Sequence, residues 1–248
     1  MIFKRLKDIY NTLGPRLLAG VLLVFLCVFI VMFPLAERRA YQQEVSAVGE
    51  VLSSLLDARS RALDNHIGQY KSDTLFLANT PPISGIMRAT DNSGEDPDTR
   101  SNLQDWQQRL QEIFSAYMYS RGEVRQLRFI GMDDGGRELV RVDSDGQSVH
   151  VVPSSQLQQK GHRDYVKESS KLSEGEVYSS RINFNRERGK IERPLWPTLR
   201  LATPVFDAQQ RLFGVVVMNL DFSYSQRLIR EDLPQGYRVY LLDEEQHF

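Results

Sequence analysis

Val124–Gly131 reads VRQLRFIG, Asp133–Gly136 reads DDGG, and Arg137–Asp143 reads RELVRVD. In both flanking runs apolar residues recur at two-residue steps (Leu127 and Phe129; Val140 and Val142), which is the period of a half-buried strand. The four residues between them are turn formers, so the stretch is an expected β-hairpin. Period two persists downstream. Ser144-Asp145-Gly146 turns toward a strand at Val149–Val152. Val177–Asn185, Thr198–Phe206 and Leu212–Leu220 (LFGVVVMNL) read as further strands, the last being the most apolar. Arg186–Arg193 reads as a charged loop or hairpin tip, Asp207–Gln210 as a turn, and Gly236–Leu242 as the start of one more strand. Two short helices interrupt, at about Arg163–Leu172 and Ser223–Glu231.

Upstream of the hairpin the period becomes helical. Leu103, Trp106, Leu110, Ile113, Phe114 and Tyr117 share one face of a helix from about Asn102 to Tyr119, behind a polar loop at Asp91–Thr99. Before that, Val45, Val48, Leu52, Leu55, Leu56 and Leu63 recur at three- and four-residue steps from Glu37 to about Asn79. The expected helix has about forty residues and is about 60 Å long, a stalk or spine. Thr80-Pro81-Pro82 is expected to stop it. Helices first, then an antiparallel sheet, is an α+β arrangement. No internal repeat or low-complexity tract is present.

Leu17–Leu35 (LLAGVLLVFLCVFIVMFPL) carries no charge. It is about long enough to cross a hydrocarbon core of roughly 30 Å. Lys4, Arg5, Lys7 and Arg16 precede it, so the N-terminus is expected in the cytoplasm and the rest exported. The run is long for a cleaved signal peptide, and Pro34-Leu35-Ala36 is a poor cleavage site, so it reads as a retained anchor. The single Cys, Cys27, lies inside it as an apolar filler. One Cys excludes an intrachain disulfide framework, a multi-Cys zinc site and an iron–sulfur site. A Cys-free exported part suits an oxidising compartment. The 31 Lys+Arg and 32 Asp+Glu give a net charge of −1, which supplies no pull toward nucleic acid. The chain stops at Phe248, just after YRVYLLD, where a new strand would lack its partner, so a fragment of a longer protein is expected.

Phosphate-loop, dinucleotide, nucleophile-elbow and zinc-protease motifs are all missing. His66, His150, His162 and His247 are far apart, without ligand-like spacing. No catalytic residue, metal site or cofactor is therefore expected, and this segment does not read as an enzyme. What remains is binding chemistry. Arg128 and Arg200 lie inside apolar strands, and Arg141 and Asp143 share a strand face with Leu139. Arg163 and Tyr165 open the short helix, and Asn219 and Asp221 close the apolar strand. An arginine in an apolar strand needs a partner. Two readings stay open: mutual pairing of Arg128 or Arg141 with Asp143, Glu138 or Asp221, or a bidentate clamp on a ligand carboxylate. Arg163 and Tyr165 are the preferred ligand contacts, because a short helix across a sheet can roof a pocket. Asn183–Arg200 looks basic, but Glu187 and Glu192 are interleaved, which suits a solvated hairpin with Trp196 as a packing anchor.

Taken in order, LRFI at 127–130, the DDGGRELVRVD hairpin, LQQK at 157–160 with Arg163-Asp164-Tyr165, Asn183–Pro197 and ATPV at 202–205 resemble the extracytoplasmic double Cache, or tandem PAS-like, sensors. Such sensors occur in bacterial histidine kinases, diguanylate cyclases and chemoreceptors. The resemblance implies a cytoplasmic N-terminus (1–16), a transmembrane helix (17–35) and a spine with a second helix (36–119). A membrane-distal PAS-like module (120–232) and the start of a truncated membrane-proximal one (233–248) would follow. It implies a small-molecule ligand and an inner-membrane protein with a periplasmic sensor, while the apolar stripe of the stalk helix, which needs something to face, suits a homodimer. In amino-acid-binding members an R-x-W-Y motif holds the ligand carboxylate and a late acid meets the amine. Arg163 and Tyr165 match that motif in part, Val166 stands where the second aromatic would be, and Asp221, late in the sheet, could play the acid. Arg128, Arg141 and Arg200 are further ligand candidates. The competing reading is a membrane-anchored envelope protein that recognises a protein partner; an anchored enzyme ranks last.

Overall fold

The computed structural model describes residues 2–231, 233 and 235–241. Helix α1 runs Ile2–Ala78. The chain divides into two units, one through Ala58 and one from Arg59. In the first, all side chains from Pro15 to Glu50 are exposed, including the apolar run. That run is a candidate membrane span by length and composition.

In the second unit, α2 (Pro81–Asp91) follows α1 after two residues. By sequence alone Thr80-Pro81-Pro82 reads only as a stop. The two prolines also begin a helix, at the N-terminal positions where a missing N–H costs nothing. Helix α3 (Leu103–Ser120) starts with a capping box: Asn102 accepts from the Asp105 amide, and Asp105 accepts from the Asn102 amide. Strands β1 (Val124–Gly131), β2 (Glu138–Ser144) and β3 (Val149–Val151) follow, then α4 (Asp164–Ser169). The strand expected over Val177–Asn185 is instead two short edge pieces, β4 (Tyr178–Ser179) and β5 (Asn183–Phe184), both paired to β8 (Pro197–Phe206). Between them and β8 stands the hairpin of β6 (Arg186–Glu187) and β7 (Lys190–Ile191). Strand β9 (Leu212–Asp221) and helix α5 (Ser223–Arg230) complete the regular elements. Residues 237–241 are irregular rather than strand, and residues 234 and 242–248 of the expected start of a second module (233–248) lie outside the described residues.

The main sheet is antiparallel, in the order β3-β2-β1-β9-β8-β4, with β5 also on β8. Its two faces differ. One face carries Leu127, Phe129, Val140, Val216, Met218 and Leu201. It packs on Leu77, Ile83, Ile86, Leu110 and Phe114 of α1, α2 and α3. Each such side chain contributes about 1.5–3 kcal/mol on burial, so this face is the main core. Gly85 of α2 lets Trp106 lie against the helix backbone, for a Cβ there would sit 2.2 Å from the indole ring. Asp96 fixes the α2–α3 corner, accepting from Arg88 Nε at 2.9 Å and from Trp106 Nε1 at 3.0 Å. The opposite face carries Ile130, Val215, Val217 and Ala202 beneath Tyr165 and Val166 of α4.

Candidate functional site

Strand alternation sends every second residue of the central strands to the α4 side, and the pairing register aligns them in rows. Asp143, Gln126, Asn219 and Arg200 form one row across β2, β1, β9 and β8. The next row runs Arg141, Arg128, Val217, Ala202. A polar row thus crosses this sheet face, with Arg128 and Arg141 beside it in the next row, and Arg128 is 1% exposed.

A β-bulge alters the sidedness of β2. Phe129 pairs with Val140, but Ile130 pairs with Glu138, so Leu139 is the extra residue. Leu139 packs with the helix-covered core rather than sharing a face with Arg141 and Asp143. Glu138 takes its place: it is 1% exposed, with a carboxylate oxygen 3.0 Å from Arg128 Nε and 3.8 Å from Arg141 Nη1.

The segment before α4 is docked by the DDGG turn. The Lys160 amide donates to Gly136 O at 2.7 Å, and the Glu138 amide donates to Gln158 O at 2.9 Å. Gly136 has φ +78°, and a Cβ on it would lie 2.4 Å from the Gly161 Cα, so this approach requires glycine. The docking aims Lys160, 5% exposed, at the arginines.

Opposite them stands Glu187 of the β6–β7 hairpin. One of its oxygens pairs with Arg128. The other accepts from Arg141 Nη1 at 3.1 Å, Lys160 Nζ at 3.1 Å and Gln158 Nε2 at 3.0 Å. Burial opposes the ionisation of Glu187, but the charges of Arg128, Arg141 and Lys160 outweigh it and hold the carboxyl well below the usual range. Burial, then Arg128, pulls the Lys160 ammonium down.

Beside this cluster Arg200 donates to Asn183 Oδ1 at 2.8 Å and Asn185 Oδ1 at 3.0 Å. Burial, with Arg128 and Arg163 nearby, lowers its pKa to about 10. The Tyr165 ring lies between two cations, 5.7 Å from the Arg200 guanidinium and 5.9 Å from that of Arg163. Arg163 is half-buried and, among the described residues, its guanidinium has no hydrogen-bond or ion-pair partner. Asn219 donates to Gln126 at 2.7 Å, while its own Oδ1 is buried without a donor.

The structure therefore brings Arg128 and Arg141 together around Glu187, with Arg200, Tyr165 and Arg163 beside them. Asp221 lies apart from that group. It pairs with Arg125 at 2.9 Å and accepts from the Ser223 amide at 3.1 Å, at the start of α5. Both strand arginines are ion-paired within the chain, through Asp143, Glu138 and Glu187. Sequence reasoning placed Glu187 on a solvated hairpin and did not single out Lys160, Gln126 or Gln158. The one available signal was two strand arginines facing too few acids on their own strands.

This arrangement has recognisable relatives. A sensory box/GGDEF family protein domain from Vibrio parahaemolyticus matches with a TM-score of 0.59 and 21% identity, covering 71% of this chain and 60% of that one. The extracellular domain of the histidine kinase vpHK1S-Z8 matches with 0.57 and 22% identity, covering 71% and 57%. The sensory domain of the Campylobacter jejuni chemoreceptor Tlp3, solved with isoleucine bound, matches with 0.51 and 12% identity, covering 72% and 61%. The chain spans about three fifths of the length of these structures. No curated protein matches it. Residues 99–248 match the family described as the sensor domain of bacterial histidine kinases. The fold and that match agree, and the chain belongs to the bacterial histidine kinase sensor domain family.

Proposed function

We propose that the chain is the periplasmic ligand-sensing region of an inner-membrane signalling receptor, and that it binds a small carboxylate-bearing molecule on the α4 side of the sheet. The observation that carries this reading is the gathering of Arg128, Arg141, Lys160 and Arg200 on one buried face, under a short helix that presents Arg163 and Tyr165. A guanidinium fork suits a carboxylate bidentately, and a dry setting strengthens the contact. The chemoreceptor Tlp3, which shares the fold, was solved with isoleucine, a small carboxylate, in its sensory domain. Arg163 and Tyr165 are the leading contacts, with Arg128, Arg141 and Arg200 behind the ring; Asp221 would meet a ligand only by leaving Arg125. In this reading residues 17–35 span the membrane and α1 carries the change to a cytoplasmic kinase or cyclase. Exposed Val45, Val48, Val51 and Leu56 on α1 support a homodimer through that helix. A ligand shifts the receptor only by its differential affinity for two states.

The test is a thermal-shift screen of the full chain in detergent micelles against small carboxylates. A ligand at a hundredfold its Kd stabilises by about 2.7 kcal/mol. The reading expects at least one hit that Arg163→Ala loses while its own unliganded melting stays unchanged. Hits that all survive Arg163→Ala and Tyr165→Ala would refute the site.

A further inference from the structure

Glu187 reaches the cation cluster from an element otherwise outside the sheet. Strands β6 and β7 pair only with each other, not with the main sheet. The residues around Glu187 face solvent: Arg186, Arg188, Gly189, Lys190 and Ile191 are all exposed. Glu187 alone of the hairpin turns inward, its side chain 17% exposed. Its hold consists of charge-assisted contacts to Arg128, Arg141 and Lys160, with Gln158 and Gln126 beside them. At the hairpin base, Asn185 is buried against Arg200 and Gln126.

The charge balance depends on this one residue. With Glu187 in place, the cations Arg128, Arg141, Lys160 and Arg200 stand with three acids, Glu138, Asp143 and Glu187. With Glu187 withdrawn only Glu138 and Asp143 remain, and the excess of positive charge in the buried site rises from one to two. An uncompensated buried charge is strongly unfavourable. The site is therefore not stable empty: it holds either the chain's own carboxylate or one from solution. Asn219 Oδ1, buried without a donor in the same polar row, is an acceptor for an N–H or O–H that Glu187 does not carry.

We propose that Glu187 is a built-in surrogate ligand, a carboxylate that fills the anion position and latches the β6–β7 hairpin over the site. A free carboxylate molecule carrying a hydrogen-bond donor enters by displacing it. This rests on the reading of the α4-side site as the ligand site. Displacement exchanges one carboxylate for another at the arginines, so the charge of the buried site is conserved. The released hairpin, rather than the sheet, is then the part whose position reports occupancy. An internal competitor on a short tether has an effective concentration of order millimolar, which sets the affinity an incoming ligand has to exceed.

The test uses the full chain in detergent micelles, with wild type, Glu187→Gln and Glu187→Asp. Trypsin reports the hairpin, because Arg186, Arg188 and Lys190 are exposed cleavage sites and Arg137 and Arg211 are exposed references outside it. Cleavage within 186–190 is expected about tenfold faster in Glu187→Gln, with the reference sites unchanged, and intermediate in Glu187→Asp, whose shorter side chain keeps the charge. L-Lactate, a monocarboxylate with one hydroxyl donor, measured by calorimetry against sodium chloride of equal ionic strength, is expected to bind Glu187→Gln about tenfold more tightly than wild type, since the tethered competitor is gone. Equal cleavage in all three proteins overturns the latch and leaves the sensor reading standing. Equal or weaker lactate binding by Glu187→Gln overturns the competition. An uncharged metabolite that binds both proteins equally and is lost in Arg163→Ala supports the sensor reading while overturning this proposal.

Discussion

Arg141 donates to Glu187 across 46 residues of chain, Nη1 to a carboxylate oxygen at 3.1 Å. The contact predicts an acid response. Glu187 has a folded-state pKa below its unfolded value of about 4.3. Such a group stabilises the fold fully above the unfolded pKa, and its contribution is lost as pH falls toward the folded one. Melting of wild type should therefore be insensitive to Glu187 from neutral pH to about pH 5, then decline. Glu187→Gln should melt lower at pH 7 and decline less steeply below pH 5. Parallel declines in the two proteins would contradict the assigned role of the charge.

Gly85→Ala reverses a familiar rule. Alanine in a helix interior is usually favoured over glycine by about 0.8–1 kcal/mol. Here the added methyl would sit 2.2 Å from Trp106, an indole held by its hydrogen bond to buried Asp96. Overpacking of this kind costs about 1–3 kcal/mol. Urea denaturation should show a loss, and a gain in stability would mean that the α2–α3 contact is looser than it is drawn.

Phe114 is fully buried between α3 and the sheet. Phe114→Ala should cost about 3–5 kcal/mol, roughly 6–20 °C in Tm for a domain of this size. The exposed Tyr119 one turn later serves as the control, since Tyr119→Ala should stay within about 0.5 kcal/mol.

Asp221 ties the end of β9 to β1 through Arg125 and to the start of α5 through the Ser223 amide. Asp221→Ala should lower stability by about 1.5–3 kcal/mol, the range for hydrogen bonds to a charged group. Arg125→Ala should lose part of the same energy, so the double variant should fall short of the sum. If binding of a carboxylate ligand disappears in Asp221→Ala while stability is unchanged, the residue belongs to the site and not to the α5 joint.

Much of this fold could be read from periodicity. The hairpin at 124–143, the two long strands near the end and the α3 face follow from spacing that tertiary packing did not override. Arg141 and Asp143 share a face, as period two requires, and they pair at 2.6 Å. The departures have local causes. Pro81-Pro82 marks both an end and a beginning, because proline fits the first turn of a helix. Edge pairing, limited to two residues at a time, breaks the stretch at 177–185. The site was less legible than the sheet. Its central acid comes from a hairpin of alternating charges, and alternation of that kind describes a solvated surface equally well. Only the fold brings Glu187 opposite arginines from two other strands.

The extra residue Leu139 has a consequence for how this sequence tolerates change. Insertions at the tip of the 133–136 turn leave the sidedness of both strands alone, whereas a change that drew Leu139 into the ladder opposite Ile130 would invert it for the residues between the turn and Val140. Glu138 would then point toward Phe129 and Val216, an acid delivered into oil, and Arg128 and Arg141 would each lose one of their anions. One unpaired leucine thus decides which side of the sheet the acid serves, and its outright loss would straighten the strand without turning Glu138 away from Ile130.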